Sequence, residues 1–362
     1  MTEDAANNRA AQDADTTVSE NEARDHRKTI GFEFTGNSTE YFRIWIVNVF
    51  LTLVTLGIYS AWAKVRTKRY FYGNTSVDGS PFEYLAQPGA ILRGRLVVAG
   101  AVLIGMLIAY AVVGYELWLI LGFLLAWPWL TVTAFRFNAR NSAYRNIRFG
   151  FQGTTAQALF TYFKGYLLVL VTLGIGYYYF TWMRHRFRVD NSRFGTSAFS
   201  FQLVKPEGYF GAYFAAGFFG SLVSTVVTVV SLPLMATMRP DSIIFAVLQS
   251  LPGIVLGLFY YAYLKVRFTN ILFNNSRLAG HGFSSTLQVL PLFAIYLTNL
   301  LAIVLSVGFL IPWAMVRTAR YRANNLKLRQ SGDLTAFIAS QEEEISALGE
   351  EAGDFLDLDL GL

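Results

Sequence analysis

The chain has 362 residues, of which 54% are hydrophobic, 16% aromatic and only 15% charged, a composition too apolar and too charge-poor for a soluble globular protein. Its charges are segregated: residues 1–30 hold 4 Lys/Arg against 7 Asp/Glu and residues 331–362 hold none against 9, so the stretch between carries 26 of the 30 basic groups and 8 of the 24 acidic ones. The absence of cysteine excludes a disulfide framework and a thiolate metal site, and a basic surplus on an apolar chain points to topology and anionic headgroups rather than to nucleic acid.

In chain order, residues 1–30 are polar and poor in aromatics, which predicts a disordered tail, and their acidic start is unlike a signal peptide. Gly31-Phe-Glu-Phe-Thr-Gly36 alternates apolar and polar residues, a short strand-like lead-in to a membrane domain over 31–330. Seven apolar, charge-free segments follow, at about 44–63, 96–114, 117–135, 165–183, 209–238, 242–264 and 289–316, each long enough to reach into or across a hydrocarbon core. The second and third meet at Tyr115-Glu116, and the fifth and sixth at Arg239-Pro240-Asp241, so both pairs read as helical hairpins. The first, fourth and seventh stand singly and contain Val54–Ile58, Val171–Ile175 and Leu305–Phe309, with Gly57, Gly174 and Gly308 in one register. Residues 331–362 form an acidic tail. It is either a solubilising extension, a segment that folds back on the basic loops, or a recruiter of a cytosolic partner.

The chain is internally repetitive. Asn74 is preceded by Tyr70, Arg69 and Trp62 at four, five and twelve residues; Asn141 by Phe137, Arg136 and Trp129; Asn191 by Phe187, Arg186 and Tyr179; Asn325 by Tyr321, Arg320 and Trp313. Asn275 keeps only its aromatic, Tyr263, with Asn270 in the Arg column. Phe82, Phe149, Phe199 and Phe283 each follow a motif Asn by eight residues. The expected fold is an all-α polytopic membrane protein of three internal repeats, each a single segment plus a helical hairpin with the last truncated, and small β-hairpins at the cytoplasmic surface.

Every loop after a motif aromatic is basic, which places all of them on the cytoplasmic side. Seven simple spans would put two of those loops outside. Two arrangements are open: seven spans with a weakly obeyed charge rule, or single segments that bend at Gly57, Gly174 and Gly308 and return to the face they entered. Such bends must have their backbone groups satisfied internally, and Asn48 and Asn299, in a shared register, are candidate intramembrane polar contacts.

The Arg column, Arg69, Arg136, Arg186 and Arg320, reads first as headgroup-level anchoring beside aromatic rings. Its functional reading is a set of contacts to an anionic headgroup or solute. The Asn-Thr/Ser step reads as a helix stop or turn. Catalytic residues, cofactors and metal ligands are not expected: His26, His185 and His281 lack metal-ligand spacing, and the apolar segments hold no ionisable group at depth. The partners expected are anionic membrane lipids, and the function a non-enzymatic transport or lipid-interacting one. The alternative is a scaffold or envelope-assembly protein that recruits a cytosolic or membrane partner through its acidic tail.

At VTLGIYSAWAKVRTKRYFYGNTSVDGSPFEYL, preceded by GFEFTGNSTEYFRIWIVN, the sequence closely resembles the YjgN-like family, a family of unknown function, from Gly31 to the C-terminus. The resemblance implies a multi-pass protein of the bacterial inner membrane and carries no substrate or catalytic residue with it.

Overall fold

The computed structural model describes residues 29–111, 115–202, 205–237, 239 and 242–359. The tail expected over 1–30 lies, but for its last two residues, outside the described residues. Strand β1 (Thr29–Phe34) leads into helices α1 (Ser38–Val54) and α2 (Ser60–Gly73) and then β2 (Thr75–Val77). The same order of strand, two helices, strand recurs four times. The second unit is β3 (Ser80–Tyr84), α3 (Pro88–Ala111), α4 (Tyr115–Arg140) and β4 (Ser142–Tyr144); the third is β5 (Ile147–Phe151), α5 (Thr155–Val171), α6 (Tyr177–Asp190) and β6 (Ser192–Phe194). The fourth is β7 (Ser197–Phe201), α7 (Glu207–Ala236), α8 (Ile243–Asn274) and β8 (Ser276–Leu278), and the fifth β9 (His281–Ser285), α9 (Val289–Leu305), α10 (Ile311–Asn324) and β10 (Leu326–Arg329). Helix α11 (Leu334–Asp359) follows β10.

The ten strands pair antiparallel into one closed barrel, with β1 joined to both β2 and β10. This overturns the all-α expectation: the sequence's separate β-hairpins are the staves of a single sheet. It also replaces three repeats with five, because each single segment and each long hairpin is an equivalent helical pair inserted between neighbouring strands. Closure explains why strands of three to six residues persist, since a hairpin that short is not stable alone and an open sheet would leave unpaired edges. Two-residue turns join consecutive units. Asp78-Gly79, Arg145-Asn146 and Ala279-Gly280 have positive φ at both positions, which matches the right-handed strand twist. Neighbouring strands alternate in direction, so these turns lie at one rim and all five helical pairs leave from the other.

Alternation sorts the two faces of the sheet. Phe32, Phe82, Phe149, Phe199 and Phe283 stand opposite Val77, Tyr144, Phe194, Leu278 and Leu328 in register, and together they fill the inner layer. Their neighbours Glu33, Glu83, Arg193, Arg277 and Lys327 point outward. A membrane-embedded barrel has the opposite arrangement, an apolar exterior, so this one stands in water. Helix α11 lies across the turn rim, where Leu334 and Ile338 are buried against Val77, Tyr144, Ile147 and Phe194. Gln341 holds it there: its Oε1 accepts from Thr196 N at 2.9 Å and Ser197 N at 3.1 Å.

The helices form a ring in the order of the strands, each packed on the next, with α10 closing against α1. Among the described residues three helices have spans long and apolar enough to cross a membrane, Pro88–Ile108, Ile120–Arg140 and Glu207–Pro233. The seven-segment polytopic expectation is corrected to that extent. The single segments are each broken. Helices α1, α5 and α9 have 17 residues, about 26 Å at 1.5 Å per residue, and then bend through Leu56-Gly57, Leu173-Gly174 and Val307-Gly308, all at positive φ. The chain returns through α2, α6 and α10 to the rim it left. The tip residues Leu56 and Leu173 are 94% and 93% exposed, an apolar point with no protein packed on it.

Each bend satisfies its own backbone. Thr55 Oγ1 accepts from Tyr59 N at 2.9 Å while donating to Leu51 O; Thr172 Oγ1 accepts from Gly176 N at 2.7 Å while donating to Leu168 O; Ser306 Oγ accepts from Leu310 N at 3.0 Å. The glycine N–H closes a wider loop, to Thr52 O, Val169 O and Ile303 O. In hydrocarbon no water would replace these partners.

Candidate functional site

The repeated columns become five equivalent structural joints. Asn74, Asn141, Asn191, Asn275 and Asn325 each end a descending helix, and each Nδ2 donates to the carbonyl four residues earlier at 2.7–2.8 Å. Each Asn carbonyl in turn accepts from the residue just past the odd strand of its unit: Thr35, Leu85, Gln152, Gln202 and Thr286. The Arg column ties consecutive units together. Arg69 donates to Ala86 O at 3.1 Å and Arg136 to Gly153 O at 2.7 Å, and Asn270 replaces the guanidinium in reaching Leu287 O at 2.9 Å. Arg320 closes the circle onto Gly36 O at 2.9 Å. Arg186 instead pairs with Asp190 at 3.3 Å. These four Arg are therefore distributed around the helical rim rather than brought to one point.

The two asparagines expected as intramembrane contacts differ from each other. Asn299 Nδ2 donates to Ala314 O at 3.2 Å and Thr318 Oγ1 at 3.1 Å, tying α9 to α10. Asn48 is 5% exposed, and neither its Nδ2 nor its Oδ1 has a partner.

A different set of basic side chains, on three descending helices, lies close enough together for their charges to act on one another. Counting back from the motif Asn, Arg188 and Arg322 lie three residues before it and Lys265 ten, seven residues or two helical turns apart and so on one face. The Arg column, at five, lies about 200° away from position three. Arg188, Tyr72 and Asn138 line a cavity of about 390 Å³ at the helical rim. Arg322 and Tyr72 line its neighbour of about 500 Å³. Arg188 keeps exposed surface although protein surrounds it, because that surface opens onto the cavity; burial lowers its proton affinity from the ordinary arginine value. Burial also lowers the Lys265 ammonium, and the nearby Arg322 and Arg188 charges lower it further. Lys68 is lowered by burial and by Lys64, and its Nζ donates to Asn138 Oδ1. His185 is driven down to about 4, by burial first and then by Arg184, Arg188 and Lys265, and its Nδ1 stands 2.7 Å from Tyr209 Oη.

Among the described residues the ion pairs are Arg145–Asp78, Arg186–Asp190 and Lys205–Glu207. None neutralises Arg188, Lys265 or Arg322. Below this basic vestibule the barrel lumen forms a further cavity of about 340 Å³, lined by the inner phenylalanines and floored by Leu334, Phe337 and Ile338. Phe82, Phe149, Arg188 and Ser192 line both the lumen and the 390 Å³ cavity, so the two adjoin at these side chains. Of the residues at the centre of the vestibule, Arg188 and Arg322 share a position that only two of the five units fill with Arg, and Lys265 joins them only through a shared helical face.

The family model for bacterial proteins of unknown function, DUF898, matches residues 29–355. The chain is 33% identical over 149 residues to the inner membrane protein YjgN of Salmonella typhimurium, covering 40% of this chain and 37% of the relative. It is 32% identical over 152 residues to the YjgN proteins of Escherichia coli O157:H7 and K12, covering 41% and 37%. The matched stretch thus spans well under half the length of these curated relatives. No solved structure matches. With its own membrane-length helices and relatives named for the inner membrane, the chain is a protein of the bacterial inner membrane and belongs to the DUF898 family.

Proposed function

We propose that this chain is a non-enzymatic, lipid-interacting membrane protein that holds an anionic headgroup in the vestibule above its barrel. The observation that carries this reading is the convergence of Arg188, Lys265 and Arg322 without a carboxylate partner among the described residues. Like charges held close together repel one another, and a phosphate or carboxylate would supply the missing counter-charge with charge-assisted hydrogen bonds. The five hairpins bring this cluster to the foot of the membrane-facing helices, where headgroups lie. An aqueous pore through the barrel fits less well, because the lumen is lined by phenylalanine and floored by α11.

The test is native mass spectrometry of the full chain from neutral-detergent micelles mixed with phosphatidylglycerol or phosphatidylcholine. Phosphatidylglycerol is expected to be retained preferentially, and Arg188→Gln with Arg322→Gln to lower that retention by about tenfold or more, the equivalent of one charge-assisted contact. The exposed Arg148→Gln is the control. Equal retention of both lipids, or loss with the control alone, would reject the reading.

A further inference from the structure

We propose that the barrel lumen binds the acyl chain of a single-chain anionic amphiphile whose carboxylate or phosphate is held by Arg188 at the mouth. This rests on the vestibule reading above and specifies its ligand.

The lumen has the chemistry of an acyl-chain site. Its volume of about 340 Å³ falls within the roughly 300–1,000 Å³ typical of small-molecule sites. Its wall is made of aromatic and aliphatic side chains, with Phe32 and Phe82 stacked at 6.1 Å, Phe199 and Phe283 at 6.0 Å, and Leu278 and Leu328 among them. Water would find few hydrogen-bonding partners against such a wall, whereas a flexible methylene chain needs none. The turn rim is shut by Leu334, Phe337 and Ile338, so a chain enters only from the helical side. Polar groups at that entrance are Arg188 and Ser192, which line both the lumen and the vestibule, and Ser276, which lines the lumen. A charged head at Arg188 therefore sits one step above an apolar shaft. A space of this size takes one chain, so the second chain of a diacyl lipid would be left outside it.

The probe is a twelve-carbon fatty acid carrying a diazirine near its methyl end, with a lyso-phosphatidylglycerol carrying the same chain as a second arm. Each is photolysed with the full chain in neutral detergent and the adducts are mapped by peptide mass spectrometry. Adducts are expected on peptides containing Phe283 and Phe337, and which arm labels more strongly identifies the head as carboxylate or phosphate. Arg188→Gln should lower this labelling by about tenfold. Phe199→Trp, which narrows the lumen without touching the cation, should reduce lumen adducts while leaving retention of phosphatidylglycerol unchanged. Arg188-dependent labelling confined to lipid-facing residues such as Leu103 and Leu170 would overturn the lumen site and leave the vestibule standing. Loss of phosphatidylglycerol selectivity together with absent labelling would take both down.

Discussion

The three bends give the most direct test of the architecture. Gly57, Gly174 and Gly308 have φ of 91°, 95° and 92°. A Cβ added at Gly57 or Gly174 would meet nothing within 4 Å, and at Gly308 only Ile311 Cδ1 at 3.6 Å. Steric overlap with neighbours is therefore removed from the problem, and what remains is the backbone. Placing an L-residue there costs about 1–2 kcal/mol, and Ala recovers about 0.4–1 kcal/mol of that by restricting the unfolded chain. Gly57→Ala and Gly308→Ala are each expected to be destabilising by about 1 kcal/mol, read as a lower melting temperature in a fixed detergent. Gly217→Ala is the matched control. It lies within α7 and its added Cβ is also unopposed, so helix propensity makes it neutral or stabilising. If both bend variants melt with the parent, the left-handed bends are not part of the folded protein and the single segments run straight.

Three further outcomes follow from the same contacts. Thr172→Val removes the acceptor of Gly176 N and the donor to Leu168 O and should cost about 1–3 kcal/mol, whereas Thr172→Ser should not; identical melting of the two would sink the account of the bend. His185, whose pKa falls from 6.5 to about 4, binds its proton in the unfolded chain first. Stability is then intact above pH 6.5, declines as pH falls towards 4, and loses at most about 3 kcal/mol; a His185→Gln chain should show a flatter profile between pH 6.5 and 4, and an unchanged slope would contradict the assignment. Gln341→Leu leaves Thr196 N and Ser197 N without their acceptor, so hydrogen exchange should quicken at those two amides and at Leu334–Ile338 as α11 loosens, while exchange in α7 stays as it was.

Much of the site's scaffolding was legible because its signals are local. The Asn, Arg and Phe columns sit within one helix, turn and strand, and the structure turns them into a helix stop, a tie to the next unit and the lumen wall. Their common spacing was visible, but the period of the whole was not. Asn74, Asn141, Asn191, Asn275 and Asn325 are separated by 67, 50, 84 and 50 residues, because two of the five helical pairs are long and three are short. That alternation looks like a repeat of single segment plus hairpin when it is five copies of one unit. Closure of the sheet was illegible for another reason. Thr29 pairs with Arg329, a register no local pattern encodes, and strands as short as Thr75–Val77 carry too few alternations to announce a barrel. The bends were legible as glycines in an apolar run; the fully exposed leucines beside them, held at positive φ, were not.

The vestibule follows from the mismatch between a sheet and the helices it carries. Ten strands about 4.8 Å apart, tilted by about 40°, close into a barrel of radius about 10 Å. Ten helices at 8–10 Å spacing need a ring of about 13–16 Å radius, wider than the barrel that anchors them. Of the paired helices, the descending arms α2, α4, α6, α8 and α10 make the extensive contacts with the strands, and in the ring each stands between two ascending arms rather than beside another descending one. They cannot meet on the axis, and long side chains must fill what lies between them. A helix bundle that excluded water would place leucines there. This chain places Arg188, Lys265 and Arg322, directly above a wall of phenylalanine. The architecture makes the space, and the residues set around it make it suited to a group with a charged end and an apolar one.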